Sequence, residues 1–196
     1  LLTMNYTGEE TKSVKEIIVC DSKGAIYESR SDLSENTSKL RLARKTNRNN
    51  VSGSLSDALV DADVFIGVSV ADAVTKEMVK SMANDPIIFA MANPIPEIMP
   101  DIAKEAGAFI VGTGRSDFPN QVNNVLAFPG IFRGAIDAKA KQFTHDMKLA
   151  ATQAIADAVG NDLDIDHILP QVLDKKVPYI VAEKVKDTYL KTAVKK

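Results

Sequence analysis

The sequence is poor in cysteine, histidine and tryptophan, and each shortage excludes a class of protein. Among 196 residues there is one cysteine, there are two histidines and there is no tryptophan. A single thiol, Cys20, cannot form an internal disulfide, which favours a reducing compartment, and we expect a cytoplasmic protein. With two histidines and no cysteine cluster, a zinc site is not expected.

Net charge and long apolar runs are also scarce. The formal net charge is −2 at pH 7, so nothing in the composition favours binding to nucleic acid or to an anionic membrane. The apolar stretches are too short to span a bilayer. A hydrophobic content of 45% with 26% charged residues is ordinary for a globular protein. We therefore expect no nucleic-acid partner and no membrane partner.

Short apolar runs rich in β-branched residues alternate with segments of helical period. Strands buried on both faces are predicted at residues 17–20, 64–68, 87–90 and 109–111. Helices are predicted at residues 34–45, 55–60, 75–83 and 100–106, with Ser54 and Thr75 as caps. This alternation predicts parallel pairing through right-handed crossovers, and so an α/β fold with a doubly wound, mostly parallel, Rossmann-like sheet.

The pattern becomes wholly helical towards the end of the chain. Residues 144–159 and 180–193 have helical period, and the first carries an apolar stripe that includes Met147, Ala151 and Ala154. Such a stripe is more often core than a ligand surface. We expect a dinucleotide-binding domain over residues 1–140, incomplete at its N-terminus, and a C-terminal helical segment over residues 141–196.

The first predicted strand ends at an acid, Asp21, which Ser22 and Lys23 follow. An acid at the end of the second strand of a dinucleotide fold accepts hydrogen bonds from the adenosine ribose hydroxyls. No G-x-G-x-x-G turn precedes it here, so by itself Asp21 is better interpreted as an exposed acid in a turn. The one G-x-G, at residues 112–114, is interpreted as a tight turn leaving the last strand.

Two asparagine sites follow predicted strands or start a helix. They are Asn93 and the pair Asn123 and Asn124. A neutral amide both donates and accepts, so it can orient a carboxylate or a carboxamide without adding charge. Pro94 favours extended backbone at Asn93, and either residue of the pair can begin a helix. The residues alone leave open the alternative that all of these asparagines only cap helices and form turns.

Five segments, taken together and in order, resemble malic enzymes, the bacterial type in particular. They are residues 19–30 (VCDSKGAIYESR), 54–69 (SLSDALVDADVFIGVS), 74–79 (VTKEMV), 89–100 (FAMANPIPEIMP) and 111–137 (VGTGRSDFPNQVNNVLAFPGIFRGAID). The resemblance implies the C-terminal NAD(P)-binding domain of an enzyme that oxidises and decarboxylates L-malate to pyruvate and CO2. It also implies a divalent metal, Mn²⁺ or Mg²⁺.

The resemblance also implies roles for individual residues. Cofactor binding is implied for Asp21, Ser22, Ser69, Asn93 and Asn123, and substrate binding for Asn93 and Asn124. In this family the metal carboxylates, the lysine base and the tyrosine acid lie ahead of the glycine turn, so we predict no catalytic and no metal-binding residue in this segment. We expect Leu1 to follow a cut, the N-terminal catalytic half of the same protein to hold the metal, and residues 1–196 alone to be inactive.

The cofactor and the wider function leave alternatives. Asp21 repels the 2′-phosphate of NADP, whereas Ser22 and Lys23 can accept it, so NAD is favoured and NADP is the alternative. The resemblance implies a homodimer or homotetramer. The other functions considered are a non-catalytic, regulatory nucleotide-binding module and a different Rossmann dehydrogenase acting on a 2-hydroxy or amino acid. The block at residues 121–130 (QVNNVLAFPG) argues against the different dehydrogenase.

Overall fold

The structure is a computed structural model that describes residues 14–193. Its strands are β1 (Cys20–Asp21), β2 (Gly24–Ala25), β3 (Val64–Gly67), β4 (Ile87–Ala90) and β5 (Ile110–Thr113). Its α-helices are α1 (Thr37–Ala43), α2 (Leu55–Leu59), α3 (Lys76–Lys80), α4 (Pro100–Glu105), α5 (Phe128–Asp137), α6 (His145–Asp157) and α7 (Lys176–Ala193). Short 3-10 helices lie at Ser31–Leu33, Asn124–Leu126 and Gly160–Asp162.

Strands β3, β4 and β5 form a parallel sheet in that order. The register aligns Gly67 with Ala90 and Ala90 with Thr113, so the three strands end at the same edge. Helix α3 connects β3 to β4 and helix α4 connects β4 to β5, as parallel pairing requires. The predicted Rossmann-like α/β fold is confirmed, and β4 begins and ends where the sequence predicts.

The two faces of this sheet differ in burial. Phe65, Ile88 and Val111 belong to the apolar core on one face. The other face, which we call the open face, carries Val64 and Ile66, each 45% exposed. The prediction that residues 64–68 are buried on both faces is therefore wrong. Successive right-handed crossovers in one direction place α3 and α4 on the same side of the sheet.

The predicted buried strand at residues 17–20 is also wrong. Only Cys20 and Asp21 lie in a ladder, and they pair antiparallel with β2. The carbonyl oxygens of Ile17 and Val19 accept instead from the N–H groups of Asn47 and Ile26. A buried parallel strand needs parallel neighbours, and within residues 14–193 the one strand paired with this segment is the antiparallel β2. The Cys20 thiol is half-buried, and this burial raises its pKa, which keeps it an unreactive thiol.

The G-x-G segment is mostly strand rather than turn. Gly112 and Thr113 lie within β5, and the chain leaves the sheet at Gly114. A Cβ added to Gly112 would lie 2.8 Å from Cδ1 of Phe89 on the neighbouring strand. The glycine at position 112 therefore makes room for a cross-strand aromatic ring. The interpretation of residues 112–114 as a turn is corrected accordingly.

The predicted helix caps are confirmed. The Ser54 hydroxyl accepts from the backbone N–H of Asp57, and the Asp57 carboxylate accepts from the Ser54 N–H at 2.6 Å. The Thr75 hydroxyl accepts from the Met78 N–H at 3.3 Å. These caps satisfy backbone donors in the first turns of α2 and α3, which follow β2 and β3 along the chain.

Helices α5, α6 and α7 pack together around a second core. The predicted stripe on α6 is buried there, with Met147, Ala151 and Ala154 all 3% exposed or less. Helix α5 meets α7 at Gly130, where an added Cβ would lie 2.6 Å from the Pro178 carbonyl oxygen. The division of the chain after residue 140 stays a prediction. Within residues 14–193 no helix is both long and apolar enough to cross a membrane.

Candidate functional site

The carboxyl ends of β3, β4 and β5 bring together three of the segments that the sequence analysis selected. Ser69 follows β3, Asn93 follows β4, and Asn123 lies in the segment that follows β5. The N–H of Met91 donates to the Gly67 carbonyl at 3.1 Å, so the ladder continues one residue past β4. Open parallel sheets bind ligands at this carboxyl edge. The loops after β3 and β4 are called here the β3 loop (residues 68–75) and the β4 loop (residues 91–99).

Ser69 is exposed, but its backbone is fixed by a buried acid. The Ser69 N–H donates to Oε1 of Glu97 at 2.7 Å, and the Ser69 hydroxyl donates to the same oxygen at 3.2 Å. The other carboxylate oxygen, Oε2, accepts from the N–H of Ala92 at 3.0 Å. Glu97 is completely buried. The residue before Asn93 and the predicted cofactor residue Ser69 are thus both bound to one side chain.

Asn93 is exposed at the start of the β4 loop, and its peptide bond to Pro94 is cis. The exposed amide keeps its donors and acceptor available to a ligand. Neighbouring strands of a sheet lie about 5 Å apart, which places the β3 and β4 loops side by side along the edge. Ser69 and Asn93 therefore lie in neighbouring loops at the same edge of the sheet, and their binding roles stay predictions.

Asn123 and Asn124 have different structural roles. The Asn123 side-chain oxygen accepts from the Val125 N–H at 3.0 Å and caps the 3-10 turn that leads into α5. Asn124 is exposed. Asn120 anchors this segment, since its buried amide donates to the carbonyls of Val111 (3.2 Å) and Ile165 (2.8 Å). The cap leaves the Asn123 NH2 and the whole Asn124 amide available to a ligand.

Asp21 lies apart, in the β1–β2 hairpin, within a group of charges. This Asp21 cluster consists of Asp21, Lys23, Arg30, Asp32 and Lys39. The Arg30 guanidinium donates to both Asp21 oxygens, at 2.9 and 2.6 Å, and Lys39 donates to Oδ2 at 2.5 Å. These contacts, that of Arg30 above all, hold the pKa of Asp21 well below its usual range. Three cations and two carboxylates leave the cluster with a formal charge of +1.

Arg30 uses its whole guanidinium in this cluster. Besides its contacts with Asp21, it donates to Asp32 at 2.8 Å and to the backbone carbonyls of Gly24 and Ala25. Its side chain is 8% exposed, whereas that of Lys39 is 39% exposed. Arg30 is therefore a fixed part of the hairpin, and Lys39 is the more exposed of the two cations that contact Asp21.

A cavity of about 420 Å³ opens beside the Asp21 cluster. Its lining residues are Lys23, Ala25, Tyr27, Arg30, Ser31, Asp32 and Gly53. An aromatic ring beside charged donors suits an adenosine with its ribose. Ser22 is exposed in the turn that joins β1 to β2, next to this cavity in sequence. The residues present fit the nucleotide part of a dinucleotide.

Sequence reasoning missed Glu97, Arg30 and Lys39. Glu97 had a usable signal, because it is the single charged residue between Phe89 and Asp101 and lies between apolar neighbours. An acid in that context predicts burial with dedicated donors. Arg30 and Lys39 had none, since an exposed pattern of charges does not indicate which pairs form. Within residues 14–193 no group of three or more acidic, histidine or cysteine side chains stands ready to hold a metal.

Comparison with known proteins gives one family. The family described as "Malic enzyme, NAD binding domain" matches residues 2–190. The bifunctional malic/malolactic enzyme of Bacillus subtilis is 60% identical over 92% of this chain and 44% of its own length. An NADP-dependent malic enzyme of Haemophilus influenzae is 42% identical over 92% of this chain and 25% of its own. The crystal structure of an NAD-dependent malic enzyme from Thermotoga maritima superposes with a TM-score of 0.83, at 46% identity, over 88% of this chain and 45% of that one. The chain thus spans less than half the length of these relatives.

Proposed function

Because this chain belongs to the malic enzyme family, as its NAD-binding domain, we propose that the protein containing it oxidises L-malate to pyruvate and CO2 while reducing NAD or NADP. The observation that carries the proposal is the carboxyl edge of the parallel sheet, where exposed polar groups at Ser69, Asn93 and Asn124 follow adjacent strands. Those residues lie in the segments that resemble the family most closely. The names of the relatives support the same reaction.

The chain's own residues would bind and orient the reactants. We assign the Asn93 amide to the nicotinamide ribose and malate, and the Asn124 amide to a malate carboxylate. Ser69 and Asn123 would hold the cofactor beside them. A dinucleotide held by these residues would supply the hydride acceptor, and a divalent metal would supply the Lewis acid that loss of CO2 requires. Neutral amides suit this task because they fix a dianionic substrate without neutralising the carboxylate that leaves.

The remaining parts of the reaction are assigned outside this chain. We propose that Mn²⁺ or Mg²⁺ and the acid–base residues belong to an N-terminal catalytic half of the same protein, in a cytoplasmic homodimer or homotetramer. Exposed apolar groups support burial in a larger assembly: Val64 and Ile66 on the open face are each 45% exposed. On α5, Phe128 and Phe132 are 49% and 50% exposed and stack with ring centroids 5.8 Å apart.

For the cofactor we propose NAD as the preferred nucleotide, with NADP accepted. The ribose hydroxyls would bind Asp21 by displacing Lys39. The positive charge of the Asp21 cluster weakens the repulsion that Asp21 alone would exert on a 2′-phosphate. The substitution Asp21→Asn should raise the NADP:NAD ratio of kcat/KM by about tenfold, or 1.4 kcal/mol. Asp63→Asn, an exposed acid at the opposite end of β3, is the control and should leave the ratio unchanged. An unchanged ratio in Asp21→Asn would remove Asp21 from the cofactor site.

The direct test is malate-dependent reduction of NAD and of NADP, each with Mn²⁺, by the natural protein that contains this chain. Residues 1–196 alone are assayed in parallel. We expect turnover by the natural protein with NAD preferred, and none by residues 1–196. Absence of turnover with either nucleotide would contradict the proposed reaction and favour a non-catalytic nucleotide-binding module. Turnover by residues 1–196 would contradict the assignment of the acid–base groups to another part of the protein.

A further inference from the structure

We propose that Glu97 is a positioning residue that fixes the β3 loop against the β4 loop, so that Ser69 and Asn93 stand at a constant separation. The inference rests on the proposed function, in which these two residues hold cofactor and substrate. It assigns a role to a completely buried side chain that acts through its neighbours.

The contacts of Glu97 come from both loops. Oε1 accepts from the backbone N–H of Ser69 at 2.7 Å and from its hydroxyl at 3.2 Å, while Oε2 accepts from the N–H of Ala92 at 3.0 Å. Ala92 directly precedes Asn93. One rigid carboxylate thus sets the distance between the backbone of a cofactor residue in one loop and that of a substrate residue in the next.

The backbone around Glu97 extends the same connection. The N–H of Val74 donates to the Glu97 carbonyl at 2.9 Å, and the N–H of Asp72 donates to the Pro96 carbonyl at 3.2 Å. The β3 loop is therefore bound to the β4 loop at three positions along its length, of which the Glu97 side chain supplies the one nearest the sheet.

The complete burial of Glu97 bears on why an acid occupies position 97. Glu97 is 0% exposed, so water does not compete for its oxygens. The three groups that donate to its side chain, two backbone N–H groups and one hydroxyl, are all neutral. Burying a carboxylate is unfavourable unless hydrogen bonds compensate it, and an apolar side chain of similar volume is often at least as stabilising. Stability alone does not require an acid at this position. The acid adds directional bonds that an apolar side chain cannot make.

The sheet leaves space for this carboxylate. A Cβ added to Gly67, the last residue of β3, would lie 2.5 Å from Cδ and 2.6 Å from Oε1 of Glu97. Any larger residue at position 67 would push the carboxyl group away from its donors. The same Cβ would also lie 2.8 Å from Cε1 of Phe65, so a Gly67 substitution displaces the Glu97 carboxyl group and presses on one core ring as well.

Glu97 is not placed to exchange protons with a substrate. Both of its oxygens are engaged with backbone and side-chain donors, and the side chain does not reach the surface. Its effect on the reaction has to pass through Ser69 and Asn93. That route predicts changes in ligand binding, whereas a purely structural role predicts only a smaller amount of folded protein.

The test is Glu97→Gln in the natural protein that contains this chain. The amide nitrogen places a donor against either the Ser69 or the Ala92 N–H, at nearly unchanged volume. We expect KM for malate and Kd for NADH to rise by up to about a hundredfold, the size of the cost that a misplacement of about 1 Å can have on a reaction. KM and Kd do not depend on the concentration of active protein, so loss of folded protein alone would leave both unchanged. Glu105→Gln, which alters an exposed acid paired with Lys76 at 2.5 Å, is the matched control.

Two further measurements keep the test decisive. Gly67→Ala retains the acid and displaces it, so it should raise the same two constants even where Glu97→Gln yields little folded protein. Amide hydrogen exchange should become faster at Ser69, at Ala92 or at both in each of these variants, and it should stay unchanged in Glu105→Gln. The role of Glu97 would be overturned if the wild-type protein turns over malate and both variants keep its KM, its Kd and its rates of amide exchange. A wild-type protein without malate turnover would overturn the proposed function instead, and the NADH affinities would still decide the role of Glu97.

Discussion

Two acids close to strand ends are held in opposite ways in this molecule. Glu97, at the carboxyl edge of the parallel sheet, is completely buried and accepts from neutral donors. Asp21, in the β1–β2 hairpin, is 15% exposed and accepts from Arg30 and Lys39. The first arrangement fixes backbone geometry between two loops. The second compensates charge beside a cavity. Position at a strand end therefore does not by itself assign a role to an acid, since its donors decide what it can do.

The difference predicts which site responds to charge. The Asp21 cluster depends on ion pairs, so its contribution should change with pH and with the loss of one cation. The Glu97 site depends on shape and on neutral donors, so it should respond to steric change.

The largest effect is expected for Arg30→Met. The substitution removes the cation that bridges Asp21 and Asp32 and leaves the Gly24 and Ala25 carbonyls without this donor. We expect the free energy of unfolding to fall by about 3 kcal/mol, the lower end of the range for breaking a buried pair. Urea unfolding measures it. Arg133→Met, which breaks an exposed pair with Asp137, should change it by less than about 1 kcal/mol. Equal losses of stability in Arg30→Met and Arg133→Met would contradict the distinction between the buried Arg30 and the exposed Arg133.

The same variant should also alter the response to acid. A carboxyl group whose pKa is lower in the folded state stabilises the fold above its unfolded pKa of about 3.9, and this contribution is lost as pH falls through the folded pKa. Arg30 is the main cause of the lowered pKa of Asp21. Wild-type stability should therefore decline below about pH 4, and Arg30→Met should decline less steeply there. Parallel pH profiles would show that Arg30 does not set the pKa of Asp21.

A smaller loss is expected for Gly67→Ala at the sheet edge. The added methyl group would lie 2.5 Å from Cδ of Glu97, so the carboxyl group or the strand has to move. Overpacking of this kind lowers the free energy of unfolding by about 1–3 kcal/mol. The control is Gly114→Ala, whose Cβ would lie 4.0 Å from the nearest neighbouring atom. A Gly67→Ala variant as stable as the control would mean that the sheet edge accommodates the added methyl group, which contradicts the close contact between position 67 and Glu97.

The smallest expected effect is a gain in stability, in Thr113→Val. Thr113 ends β5 and is completely buried, and its hydroxyl has no hydrogen-bond partner within the described residues. Replacing the hydroxyl by a methyl group keeps the shape and removes a buried polar group, which should stabilise the fold by about 1 kcal/mol. Calorimetric Tm values measure the change. A lower Tm would contradict the interpretation of this hydroxyl as an unpaired buried group.

Local signals predicted much of the fold. The caps at Ser54 and Thr75 depend on donors within the next three residues, and β4 is a short β-branched run with clear ends. The strand at residues 17–20 failed because a strand exists only through its neighbours. The prediction that the open face is buried failed for a related reason. The period of the sequence does not say on which side of the sheet the crossover helices lie.

The candidate site divides in the same way. Asn93 and Asn123 follow from strand ends or a helix start, whereas Ser69 follows from the family resemblance. The structure brings their segments to one edge, while their roles in binding stay predictions. Glu97 bonds to a residue 28 positions away in sequence, and Arg30 to one 9 positions away. Such pairings depend on how the chain returns to the sheet, which no local pattern encodes.

The central proposal is that a dinucleotide binds along the carboxyl edge of the sheet and reaches the Asp21 cluster. Amide hydrogen exchange of the natural protein, with and without saturating NADH, tests it most directly. We predict protection of residues 68–74, 91–97 and 21–31, with little change elsewhere in the chain. Protection confined to residues 158–175, which border a separate cavity of about 550 Å³, would contradict the claim.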